Sequence, residues 1–331
     1  MKIAVINESG TVYNLATDKI KVYHQALGDT VVSSKRADAW AMECDKAYLS
    51  AIFTWDLPRL VQDAQRLKSK GIAIEIGGPA ATAMSDWVKA STGIDPHKGT
   101  DERFEFVKGT FPTTFTSRGC PRSCGFCLVQ YIEGHKMIEY PDFNIPVGKN
   151  PWVCDNNILS TSWEHQLMVV DRLKEVRNLD FNSGFDDRIF IKDPEKYWDL
   201  YRNLHLECWR FAYDKPDQIG PVTDCVRFLA KKGVNYRKII VFCLVGWPDQ
   251  TFKEAQEKLQ YLVDIECSPY PMRYKPLNAM TKDAVAPNWT NADLNLLFSF
   301  YGVPYKWRKG NWEQYLQKFV PSDPMQGKMM I

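Results

Sequence analysis

The chain has 331 residues, 45% hydrophobic and 13% aromatic, enough for about two domains with packed cores. Its 42 basic and 40 acidic residues leave a formal charge of +2, too even to point to nucleic acid or a membrane surface. No apolar run approaches the roughly 20 residues that span a bilayer. The opening MKIAVINESG lacks the small-residue cleavage site of a signal peptide, so a cytoplasmic protein is expected.

In chain order, KIAVI reads as a first strand, KVYHQALG as a helix and YLSAIFTW as a strand. Leu57-Pro58 then opens a helix in which Leu57, Leu60, Val61, Ala64 and Leu67 fall at helical spacing, and Gly71 closes it. IAIEI is a strand ending in Gly77-Gly78-Pro79. Strand–helix–strand with short connections is the pattern of a doubly wound parallel sheet. The polar stretch STGIDPHKGTDERFE marks a boundary, so residues 1–108 are expected to form a Rossmann-like α/β domain.

A second alternation starts near Phe111. TTFTS is a strand, PWVCDNN another, and Thr161-Ser162-Trp163-Glu164 matches a capping box opening a helix. NLDFNSGFD, ECWRFAYD, KIIVFCLVGW and YPMRYKPL are further strands, separated by helices around Thr223 to Lys232 and Thr251 to Asp264. The expectation is a partial (β/α)6 barrel over residues 109–280. Residues 281–331, rich in Trp, Tyr and Phe, read as a short helical extension. Its segment YGVPYKWRKGNW could stack on bases or cover the barrel, and the even charge favours the cover.

Nine cysteines is an odd count for a disulfide framework and suits a reducing compartment. Cys44, Cys154, Cys208, Cys225, Cys243 and Cys267 are scattered and read as small buried hydrophobes. Cys120, Cys124 and Cys127 are different, clustered as C-x3-C-x2-C in TSRGCPRSCGFCLVQYIEG. Three thiolates leave a tetrahedral zinc one ligand short and leave a cubane iron–sulfur cluster with one open iron. His135 is a candidate fourth zinc ligand, which would make a zinc-stabilised binding module. Gly119, Pro121 and Gly125 let the backbone wrap an inorganic core, which favours the cluster.

This spacing, Phe126 before the third cysteine, and its place after a first barrel strand resemble the signature of the radical S-adenosylmethionine (SAM) superfamily. The flanks resemble its methylthiotransferase and cobalamin-type branches. The resemblance implies a 4Fe–4S cluster on Cys120, Cys124 and Cys127, with SAM chelating the open iron. It also implies an electron donor such as flavodoxin or ferredoxin, and a 5′-deoxyadenosyl radical acting on a substrate the sequence does not identify. Where the family carries a Gly-Gly-Glu-type motif for SAM's amino group, this chain has Asp155-Asn156-Asn157. Asn182 and Arg188 in NSGFDDR, and Tyr213 in AYD, lie at expected strand ends, where parallel barrels bind ligands. With Phe126 they complete the candidate SAM contacts, and Gly246 would back the adenine.

Residues 1–108 also look like the cobalamin-binding fold that precedes many such barrels. The Asp-x-His-x-x-Gly pattern that supplies an axial histidine is absent; His24 lies on a helix and His97 in the boundary. Bound cobalamin is therefore not favoured, and cobalamin-dependent radical methyl transfer stands as the alternative activity.

Overall fold

The computed structural model describes residues 1–318. They fall into two compact units, Met1–Leu179 with Pro276–Ala284, and Asp180–Lys275 with the chain from Val285 onward. The first unit includes both the expected front domain and the cysteine loop.

Its first part comprises β1 (Lys2–Asn7), α1 (Leu15–Ala26), β2 (Thr30–Ser34), β3 (Lys46–Ser50), α2 (Leu57–Ser69), β4 (Ala73–Gly77), α3 (Pro79–Ala83), α4 (Ser85–Thr92) and α5 (Glu102–Glu105). The sheet is parallel throughout, in the order β2-β1-β3-β4. Ile3, Ala4, Val5 and Ile6 are all buried, because a central parallel strand is covered on both faces. One face receives Leu57, Leu60, Ala64 and Leu67 of α2 against Ile6, Leu49 and Ile76. On the other, Ile3 and Val5 pack with Ile20, Tyr48 and Phe104. YLSAIFTW is only partly strand: β3 stops at Ser50, a short 3-10 turn over Thr54–Asp56 follows, and the Thr54 hydroxyl donates to the Ala279 carbonyl. The polar boundary is not featureless either, since Phe104 in α5 meets Tyr23 edge-on at 5.1 Å.

His24 of α1 is more tightly held than an ordinary helical residue. Its Nδ1 lies 2.7 Å from Asp29 and its Nε2 3.0 Å from the Tyr48 hydroxyl, so both ring nitrogens are engaged. His97 Nε2 lies 3.1 Å from the Thr100 carbonyl.

The first unit continues through β5 (Thr113–Thr114), β6 (Ser117–Arg118), α6 (Val129–Ile132), β7 (Ile138–Glu139), β8 (Trp152–Val153) and α7 (Trp163–Leu173) into β9 (Arg177–Phe181). β5 pairs parallel with β8, and β6 antiparallel with β7. The capping residue of α7 is Ser162, whose hydroxyl accepts from His165 N, so the expected box is displaced by one residue. Glu139 of β7 replaces the missing half of the box, accepting from Ser162 N at 2.5 Å and Ser162 Oγ at 2.8 Å.

The second unit carries α8 (Asp187–Phe190), α9 (Pro194–Tyr201), β10 (His205–Leu206), β11 (Trp209–Ala212), α10 (Ile219–Lys231), β12 (Ile239–Val245), α11 (Phe252–Asp264) and β13 (Ser268–Arg273). β11, β12 and β13 form a parallel sheet. Along β12, Ile239, Val241, Cys243 and Val245 are fully buried while Ile240, Phe242 and Leu244 are half-buried, the period of two that a strand imposes. Helix α10 starts at Ile219, four residues before the expected Thr223, because Pro221 is tolerated in a first turn. The Thr251–Glu254 capping box of α11 is formed as expected. The extension forms α12 (Asn291–Tyr301), α13 (Pro304–Lys309) and α14 (Trp312–Gln317). Its Tyr301, Trp307 and Trp312 are buried and so present no stacking faces; residues 319–331 of the expected helical extension lie outside the described residues. Cys44, Cys208, Cys225, Cys243 and Cys267 are buried as expected, whereas Cys154 is only half-buried. Among the described residues no helix is long and apolar enough to cross a membrane.

Glu8, just past β1, is fully buried. Its Oε2 accepts from Arg59 Nε at 3.1 Å. Burial first, and then Asp63, push its carboxyl up to about 7, against the pull of Arg59. The folded state therefore holds this proton where the unfolded chain releases it. The stabilisation is complete below about 4.5 and is lost as pH rises through about 7. Urea unfolding at pH 5 and pH 8 should show wild type losing roughly 2–3 kcal/mol more than Glu8→Gln between the two values. Equal losses would remove this role from Glu8.

Candidate iron–sulfur site

The three clustered cysteines lie on the loop between β6 and α6, each half-buried. The loop is tied at its base. Gly119 N donates to Glu133 Oε2 at 2.9 Å and Cys120 N donates to the Gly134 carbonyl at 3.2 Å. Gly119 has φ +86°, and a Cβ there would fall 2.1 Å from the Lys136 carbonyl oxygen, so only glycine closes this turn.

Hydrogen-bond donors reach the sulfurs. Val129 N lies 3.5 Å from Cys127 Sγ, and Asn157 Nδ2 lies 3.9 Å from Cys120 Sγ. Burial pushes the Cys127 thiol up, against the Val129 amide, with Cys124, Cys120 and Glu133 adding in the same direction. Among the described residues no three His, Cys, Asp or Glu side chains converge on a point where one metal ion would sit. A cubane asks for something else, because each thiolate binds its own iron. Three thiols on one pinned loop, with N–H groups directed at two of the sulfurs, fit that group.

The Asp155-Asn156-Asn157 segment follows β8 directly. Asp155 is buried and turned onto the strand that precedes the cysteines. It accepts from Thr116 N at 2.6 Å, from Ser117 Oγ at 2.8 Å and from the Thr116 hydroxyl, which also lies 3.2 Å from His165 Nε2. Burial raises its carboxyl, and these bonds oppose the rise. Asn156 and Asn157 face the loop instead, with Asn156 Nδ2 donating to Glu133 Oε2 at 2.6 Å.

Phe126 is half-buried beside Cys127. Asn182, Arg188 and Tyr213 belong to the second unit. Asn182 is exposed just after β9. Arg188 reaches Asp186 at 3.2 Å, and Tyr213 is buried with Lys258 Nζ 5.5 Å above its ring. Gly246 follows β12 at φ +90°, where a Cβ would sit 3.0 Å from the Leu294 side chain. His135, the alternative zinc ligand, directly follows the Glu133–Gly134 tie.

Glu133 and Arg118 escaped the sequence reading although both lie in the quoted stretch. Arg118 donates to Glu133 Oε1 at 2.9 Å and to both oxygens of Glu105 at 2.8 and 3.0 Å, with its guanidinium 3.3 Å from the Phe115 ring centre. The available signal was an arginine directly before Gly119 and an acid shortly after the last cysteine. Nothing in their spacing says that they pair.

No protein-family model matches the sequence, and no curated protein does. The fold is similar to a solved structure of the radical S-adenosylmethionine methyltransferase TsrM from Kitasatospora setae, with tryptophan substrate and the SAM analogue aza-SAM bound. The match has a TM-score of 0.59 at 10% identity and covers 84% of this chain and 75% of that one. The chain thus has the fold of a radical SAM enzyme: a Rossmann-like domain followed by a parallel strand–helix succession.

Replacing Asp155 with alanine leaves the Thr116 amide and two hydroxyls without their buried acceptor. The expected cost is about 1–3 kcal/mol per group left unpaired, read as a clear fall in thermal midpoint. Asn156→Ala, which removes a half-buried amide, should move the midpoint far less. Equal falls would deny Asp155 its structural role.

Proposed function

We propose that this protein is a radical SAM enzyme in which Cys120, Cys124 and Cys127 hold a 4Fe–4S cluster with its fourth iron open to SAM. The observation that carries the reading is the pinned C-x3-C-x2-C loop, with donors at two sulfurs, in the fold of a radical SAM methyltransferase. When bound, the cluster supplies the electron that cleaves SAM's sulfonium and yields a 5′-deoxyadenosyl radical.

The protein's own part is to place and to hold. Gly119 and Cys120 fix the loop against Glu133 and Gly134. The Asn157 amide donates to the Cys120 sulfur. Asp155 spends its oxygens on Thr116 and Ser117, so the amides of Asn156 and Asn157 are the better candidates in this segment for SAM's polar groups. A flavodoxin or ferredoxin is proposed as the electron donor.

A second reading, methyl transfer, is supported by the neighbour's being a methyltransferase whose likeness extends over most of this chain. Cobalamin would then belong to the sheet of β1 to β4. Both nitrogens of His24 are already engaged, so that histidine is not available as an axial ligand.

Anaerobically reconstituted, dithionite-reduced protein given SAM should form 5′-deoxyadenosine and methionine. The Cys120→Ala/Cys124→Ala/Cys127→Ala protein should form neither. S-adenosylhomocysteine, together with hydroxocobalamin that co-elutes with the protein, would instead select methyl transfer. No SAM turnover of either kind from cluster-loaded protein would overturn both readings.

A further inference from the structure

Glu133 has no role in the cluster reading, yet it links the parts of the candidate site in the first unit. Its side chain is 8% exposed. Oε2 takes the Gly119 amide, adjacent to Cys120, at 2.9 Å and the Asn156 amide at 2.6 Å. Oε1 takes Arg118 Nη1 at 2.9 Å. Gly134, the next residue, takes the Cys120 amide through its carbonyl. One carboxylate therefore joins the start of the cysteine loop, its end, and the Asp155–Asn157 segment.

The contacts behind Glu133 hold it in place. Arg118, 11% exposed on its side chain, is shared between Glu133 and Glu105. Glu105 is fixed in turn by the Tyr140 hydroxyl at 3.1 Å, and its backbone carbonyl accepts from Lys19 Nζ of α1. A guanidinium fork between two carboxylates is a rigid arrangement. Lys19 and Arg118 balance charge behind Glu133, but the Glu133 carboxylate itself bonds the loop. A fixed negative charge close to a metal cluster in a low-dielectric surround opposes addition of an electron.

We propose that Glu133 is a positioning residue, one that locks the cysteine loop to Asn156 and whose charge lowers the reduction potential of a cluster bound there. This rests on the radical SAM reading, and one experiment separates the two. Wild-type protein, Glu133→Gln and Glu105→Gln are reconstituted without oxygen, assayed for iron and sulfide, and titrated by electron paramagnetic resonance against potential.

Wild type that takes up no iron and sulfide defeats the radical SAM reading itself. If wild type loads, Glu133→Gln keeps the side chain's shape and loses its charge. It should load to at least half the wild-type level with its midpoint shifted to a more positive potential. Its SAM-induced spectral change should also need several-fold more SAM, since Asn156 loses its charged acceptor. A loaded variant with unchanged midpoint and unchanged SAM dependence overturns the proposal. Should Glu133→Gln fail to fold, Glu105→Gln removes one negative charge from the same cluster of side chains and must shift the midpoint the same way. An unshifted midpoint there overturns the charge effect.

Discussion

The candidate site depends on the closure of one loop. Thiolates repel one another, so a loop that carries three of them has to be tied, and here the tie is double. Gly119 and Cys120 donate their amides to Glu133 and Gly134, across a turn that a side chain at Gly119 would prevent. Asp155 then holds the incoming strand through Thr116 and Ser117. The protein's own hydrogen bonds thus arrange the loop. A bound cluster would enter a site already shaped, with less conformational entropy to lose than in a slack loop.

The same buried polar chemistry appears in the front sheet with a different outcome. Glu8 is buried and feels Asp63, and although it accepts from Arg59 its charge is resisted. Glu133 is met instead by Arg118 and by the Gly119 and Asn156 amides, which hold its side chain in place.

Much of the architecture was legible because it is written in periodicity. The run Leu57, Leu60, Ala64, Leu67 announces a helix with one buried face, and the unbroken apolar KIAVI announces a strand covered on both sides. Cap positions were legible to within a residue: Thr251 caps α11 as its box implies, while Ser162 needs Glu139, distant in sequence, to finish its cap. The cysteine loop stood out through its spacing. What stayed hidden were contacts set by tertiary packing. Asp155 stands where the family's motif for SAM's amino group falls, and its burial against Thr116 is not visible from that position. Arg118, Glu105 and Glu133 carried no signal, because nothing in one dimension shows which charges come together.

The central claim is that three thiolates hold four irons and leave one able to bind SAM. Mössbauer spectroscopy of protein reconstituted with iron-57, recorded without and with SAM, addresses it directly. The expected signal is that of a 4Fe–4S cluster in which about one quarter of the iron changes its isomer shift when SAM is added. A spectrum without cluster iron, or cluster iron wholly indifferent to SAM, would contradict it.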